Sequence, residues 1–136
     1  MPYKFEQLEV WKLAVDYLDS IYKIAEALPR SEDYNLKSQI TRAATSIALN
    51  IAEGSQGQSD AEQARFLGMA IRSLVETVAC QKIIERRGYI QDDNLLNQAY
   101  EKSQILARKL QSFRKTLSTQ YQVRDEASAY GEEDTI

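Results

Sequence analysis

The chain has 136 residues, 43% of them hydrophobic, with a net charge of −3, one cysteine and no histidine. That length builds one compact core and falls short of two ordinary domains, and the lone Cys80 excludes an internal disulfide. No apolar run approaches the ~18 residues that span a bilayer, and the opening MPYKFEQLEVWK lacks the apolar stretch of a signal peptide, so no membrane partner and a reducing, cytoplasmic setting are expected.

Only five glycines and two prolines punctuate the chain, and runs of β-branched residues bounded by turn residues are missing, which predicts an all-α protein. The first helix is expected from Phe5 to Leu28. Apolar residues at 8, 11, 15, 18, 22 and 25 form one seam with three-four spacing. A second seam, Val10, Ala14, Tyr17, Ile21, Ile24 and Leu28, lies about 100° around the same helix, so the apolar face is wider than one core contact requires. Pro29 ends the helix and PRSEDYN is a polar turn.

The second helix is expected from Asn35 to Ala52, with Leu36, Ile40, Ala43, Ile47 and Asn50 on one seam and Gly54 just past its end. SDAE at 59–62 has the Ser-x-x-Glu pattern in which Ser59 and Glu62 cap each other's free amides, so the third helix starts there. It carries Ala64, Leu67, Ile71, Leu74 and Val78 on one seam and Phe66, Ala70, Ser73, Thr77, Cys80 and Ile84 on the next. Gly88 stops it, with Arg86 and Arg87 at the negative end of the helix. The fourth helix, about Asp92 to Tyr121, repeats the spacing with Leu96, Ala99, Ser103, Leu106, Leu110, Phe113 and Leu117. Four amphipathic helices with short connections predict an antiparallel up-and-down four-helix bundle over residues 1–123. Residues 124–136, RDEASAYGEEDTI, hold five acidic residues against one basic one and are expected as a disordered, solubilising tail.

The chemistry available to such a bundle is narrow. With no histidine, the Glu-x-x-His pairs of di-iron bundles and the usual base for a Ser or Cys nucleophile are missing, so no metal and no cofactor are expected. Cys80 sits on an apolar seam, where a buried structural thiol is the simpler reading. Glu53 and Glu76 are the only carboxylates considered as an acid/base pair, and no cleft residues accompany them; the chain is read as not an enzyme. The glycine-containing loop EGSQGQSD lacks the Gly-Lys-Ser/Thr of a phosphate loop and reads as an ordinary helix-helix turn.

Between Lys102 and Val123 stand five basic residues, Lys102, Arg108, Lys109, Arg114 and Lys115, and no acidic one. Taken with the core seam of the fourth helix, they are expected to point outward as a basic stripe able to lie along a phosphate backbone; the alternative is a solvated face suited to a helix C-terminus. In the second helix Arg42, Ser46, Asn50 and Glu53 follow one face. They are expected to form a structural polar network, with Asn50 and Glu53 meeting Ser73, Glu76 or a neighbouring arginine across the second and third helices.

The stretches QITRAATSIALNIAEGS (39–55), FLGMAIRSLVETVACQKIIERRGYI (66–90) and FEQLEVWKLAVDYLDSIYKIAEALP (5–29) resemble the four-helix-bundle family of 23S rRNA intervening-sequence proteins, over about residues 3–120. The resemblance implies a left-handed up-and-down bundle assembled as a homopentamer around a central channel. It also implies kinship with accessory proteins of diversity-generating retroelements, similar barrels that bind a reverse transcriptase and its RNA. The function expected is a non-enzymatic homo-oligomer that binds RNA or a ribonucleoprotein; the alternative is a protein-only adaptor.

Overall fold

Leu8 closes a short 3-10 turn, Lys4–Gln7, and stands at the start of α1 (Glu9–Glu26). The computed structural model, which describes residues 2–57 and 59–127 with side chains as far as Leu117, continues with α2 (Leu36–Ser55), α3 (Asp60–Arg87) and α4 (Asp93–Ala127). Among the described residues there is no strand, and no helix is long and apolar enough to cross a membrane. The last helix runs into the segment expected as an acidic tail; residues 128–136 of that segment lie outside the described residues.

Each helix packs on its neighbours in the chain, and α1 closes the ring on α4. Opposite direction is read directly from paired residues. Asp16 meets Lys102 and Glu9 meets Lys109, so moving back along α1 moves forward along α4. Ser46 meets Ser73 while Gly54 meets Phe66, which sets α2 against α3. Lys82 lies over Tyr100 and Gly68 lies beneath Arg114, which sets α3 against α4. These registers define an all-α, antiparallel, up-and-down four-helix bundle.

The core follows the second of the two α1 seams. Ala14, Tyr17, Ile21 and Ile24 are fully buried, whereas Trp11 and Leu18 are only half-buried and Tyr22 is 47% exposed. Trp11 instead meets Phe5 edge-on, 4.6 Å between ring centroids, so the N-terminal turn covers one end of the outer seam. Leu36, Ile40, Ile47 and Ile51 come in from α2, Leu67, Leu74 and Ile84 from α3, and Leu96, Leu106, Leu110 and Leu117 from α4. Each such aliphatic side chain contributes about 1.5–3 kcal/mol by leaving water.

The α2 seam differs from expectation by one residue. Ile51, not Asn50, continues the core line, and one residue is about 100° of helix rotation, so Asn50 falls on the flank of α2. Gly54 also changes meaning. It lies inside the last turn of α2, not beyond it, and is buried. A Cβ there would stand 2.7 Å from Phe66 Cβ, so glycine is required by the close approach of α3. Gly54→Ala is therefore expected to destabilise by about 1–3 kcal/mol through overpacking, more than the ~1 kcal/mol that alanine gains in a helix. A lowered urea midpoint at unchanged m-value checks this; a raised midpoint contradicts it.

The helix ends elsewhere follow local chemistry. Ser59 Oγ accepts from the Glu62 amide at 3.1 Å, and Gly88 takes the left-handed conformation, φ 71°, that ends α3. Glu32 ties two turns together at one end of the bundle. Its carboxylate accepts from Asn35 Nδ2 at 3.0 Å, from the Leu36 amide at 3.3 Å and from the Tyr89 hydroxyl at 2.7 Å. The Tyr89 bond above all, then Asn35 and the Leu36 amide, hold this carboxyl below its ordinary range against the opposing effect of burial.

Polar pinning of the core runs between α1 and α3, where spacing along either helix carries no sign of it. Gln81 Nε2 donates to Tyr17 Oη at 2.6 Å, Tyr17 and Thr77 hydroxyls meet at 2.7 Å, and Thr77 Oγ1 donates to the Leu74 carbonyl at 2.6 Å. The chain crosses the bundle diagonally from α1 to α3, among fully buried residues. Burial pushes the Tyr17 hydroxyl up to about 12.

Candidate nucleic-acid interface

The basic residues of α4 are sorted by their position relative to its core line, Ala99, Ser103, Leu106, Leu110 and Leu117. Lys102 and Lys109 each precede a core residue and so lean toward α1. Lys102 Nζ lies 3.2 Å from Asp16 and donates to Ser20 Oγ at 2.8 Å; Lys109 Nζ lies 3.4 Å from Glu9. Such half-exposed pairs contribute about 0–1 kcal/mol each, but they neutralise the two lysines locally. Arg108 and Lys115 are exposed. Arg114 falls on the opposite flank, toward α3. The five residues expected as one stripe are thus divided among three directions, because a helix carrying a basic residue on either side of its core line presents them to two different neighbours.

On the α3 side Arg114 joins a second set of cations. Arg65 and Arg72 are seven residues apart on α3, hence on one face, and with Arg114 they line a groove of about 700 Å³ between α3 and α4. Its remaining lining is Ala64, Gly68, Met69 and Ile71, so the walls are cationic and the floor is apolar. Among the described residues no carboxylate pairs with any of the three arginines. Gly68 leaves room for Arg114, whose Nη1 lies 3.1 Å from the place a Cβ would take. Arg65 is oriented by Phe66, its guanidinium carbon 4.7 Å from the ring centroid, and by Met69 Sδ at 3.6 Å. Gln111 Oε1 accepts from Arg114 Nη2 at 3.4 Å. A low-dielectric groove lined by one sign of charge focuses positive potential and attracts anions.

The polar face of α2 lies elsewhere. Asn50 Nδ2 donates to the Ser46 carbonyl at 2.8 Å and to Ser46 Oγ at 3.0 Å, and Ser73 Oγ donates to Ser46 Oγ at 3.0 Å. Asn50 thus reaches Ser73 only through Ser46. Arg42 bonds Ser38 Oγ at 2.7 Å on its own helix, while Glu53 and Glu76 are exposed and outside this network. The physical reason is the one-residue shift of the α2 seam, which turns Glu53 to solvent. Arg42, Asn50 and Glu53 line a shallow groove of about 510 Å³ that also contains Tyr22 of α1 and Leu49, 54% exposed.

Cys80 is buried, and burial, then the negative charge of Glu76, push its thiol up, away from the thiolate a nucleophile needs. Among the described residues no three His, Cys, Asp or Glu side chains gather to hold a metal ion.

Arg65 and Arg72 lie outside the site expected from sequence, although their seven-residue spacing on one face of a helix is readable there. Their meeting with Arg114 is not, since it depends on the register of α3 against α4.

The fold and the groove together define the class: an antiparallel four-helix bundle that presents, between two of its helices, a basic groove with no carboxylate partner among the described residues. Residues 6–112 match the family model of the 23S rRNA-intervening sequence protein, and the chain belongs to that family. Its fold is similar to the crystal structure of a protein with unknown function from the S23 ribosomal protein family of Bacteroides thetaiotaomicron VPI-5482. The two chains are 25% identical, with a TM-score of 0.71 over 78% of this chain and 98% of the other. No curated protein matches the chain.

Proposed function

We propose that the protein is a non-enzymatic, cytoplasmic RNA-binding subunit that works as a ring-shaped homo-oligomer. The observation that carries the RNA reading is the groove of Arg65, Arg72 and Arg114, three permanent cations with no carboxylate partner among the described residues, in a molecule whose other basic residues on α4 include two paired lysines. Arginine suits this work because its planar fork matches phosphate oxygens two at a time. Arg108 and Lys115 extend the positive surface along α4.

Support for assembly comes from the outer seam of α1. Trp11, Val15 and Leu18 remain half-buried and Tyr22 is exposed beside Leu49 of α2, so a second copy laid along this face removes an apolar strip from water. The family resemblance favours five copies. A ring multiplies the grooves offered to one RNA, which raises avidity without new contacts in any subunit. The same resemblance makes a ribonucleoprotein containing a reverse transcriptase one fitting target.

Titration of a labelled RNA hairpin with the native protein, alongside sedimentation of the free protein, tests both parts. A multimer that binds the hairpin at low salt is expected. A monomer overturns the ring, and no binding even at low salt overturns the RNA reading in favour of a protein-docking role.

A further inference from the structure

We propose that the α3/α4 groove receives unpaired nucleotides: a base rests on the apolar floor among the guanidinium groups while its flanking phosphates meet Arg65 and Arg72. This rests on the RNA-binding reading above and assigns the form of RNA that the groove takes.

Charge alone does not distinguish a single strand from a duplex, since both present phosphates. The floor does. Met69 is 37% exposed and, with Ile71 and the bare backbone at Gly68, leaves an apolar surface at the bottom of a basic groove. A-form duplex keeps its bases stacked inside and offers protein mainly phosphates and 2′-hydroxyls; it meets the arginines at the rim and leaves this floor wet. An unstacked base is flat, apolar on both faces and attached to phosphates on either side, which is the chemistry that both the floor and the rim select.

The spacing fits. Arg65 and Arg72 are seven residues apart on α3, about 10 Å along the helix axis, with Gly68 and Met69 between them. Arg114 enters from α4 at the middle of that interval, over Gly68, where a Cβ would already crowd it at 3.1 Å. Its guanidinium therefore sits beside the place of the base, where a planar cation stacks as well as charges. Arg65, already on the Phe66 ring at 4.7 Å, is held at one end of the groove.

Lysine at position 114 keeps the charge and removes the plane. The experiment compares fluorescence anisotropy of a labelled twelve-nucleotide adenosine strand with that of the same strand annealed to uridines, using the wild-type oligomer and Arg114→Lys. The expected result is tighter binding of the single strand than of the duplex, and about a tenfold loss for the single strand in Arg114→Lys, with a clearly smaller loss for the duplex. Equal or tighter binding of the duplex, or an Arg114→Lys protein that holds the single strand as well as wild type, overturns the inference and leaves RNA binding standing. Binding of neither RNA overturns both. An unchanged thermal melt of Arg114→Lys confirms that the comparison reads the groove and not the fold.

Discussion

Tyr17→Ala is expected to leave little folded protein at 25 °C. The ring is fully buried, and removing such an aromatic side chain costs about 3–5 kcal/mol in transfer and cavity terms. The loss also strands the buried Gln81 Nε2, at a cost of about 1–3 kcal/mol, while Thr77 keeps its bond to the Leu74 carbonyl. These terms together approach the ~5–15 kcal/mol that holds a typical domain together. Tyr17→Phe keeps the volume and loses only the bridging oxygen, so a smaller loss of about 1–3 kcal/mol is expected. Urea unfolding of the two variants checks the order; equal and small effects contradict the diagonal pin.

Alkaline pH gives the same site a second readout. With its folded-state value pushed up to about 12 from an ordinary 10.0, Tyr17 is neutral in both states below pH 10 and its contribution is fully present there. As pH rises past 10 the unfolded chain ionises first and draws the equilibrium toward unfolding, until the folded protein titrates as well. Over that window about 3 kcal/mol is lost, at ~1.4 kcal/mol for each pH unit of difference. Tyr17→Phe lacks this component and is expected to unfold with a shallower alkaline dependence than wild type.

Reversing charge in the groove is expected to have the largest effect on RNA. Arg72→Glu combined with Arg114→Glu removes two cations and adds two anions among the phosphates, and a loss of about 100-fold at low salt is expected, since counterion release scales with the phosphates neutralised. Lys102→Glu with Lys109→Glu makes the same formal change on the α1 side. There each lysine already faces a carboxylate, at 3.2 Å from Asp16 and 3.4 Å from Glu9, so the expected loss is several-fold smaller. An equal loss from the two pairs of substitutions points to a diffuse positive surface and contradicts a defined groove.

The fold was legible because helical periodicity is a local property. On α4 the expected seam and the buried residues coincide from Leu96 to Leu117, with Phe113 half-buried, and the Ser59 and Gly88 signals mark the two ends of α3. Elsewhere the same periodicity fitted two answers. Both seams of α1 are apolar, and which of them faces inward is decided by the helices opposite, not by α1. A single residue separates Asn50 from Ile51, yet that step moves a polar group from core to flank. Gly54 reads as a stop signal until Phe66 is placed against it.

The groove was legible only in halves, for a related reason. Arg114 stands in sequence among the other basic residues of α4, but nothing within that helix says that Lys102 and Lys109 meet acids of α1 while Arg114 crosses to α3. Gly68 carries no signal until Arg114 lies over it. Sites formed between two helices are set by interhelical register, which is written in packing and not in spacing along either chain. The same holds for Tyr17, Thr77 and Gln81, which sit on two helices that are not neighbours in the ring.

The most direct measurement is the salt dependence of RNA affinity for the native protein. With Arg65 and Arg72 each neutralising a phosphate of a single strand, log K against log salt is expected to fall with a slope of about −1.4 per engaged groove, and Arg72→Glu with Arg114→Glu to flatten it. A steep slope that these substitutions leave unchanged, or no RNA binding at low salt, contradicts the assignment of the α3/α4 groove as the RNA interface.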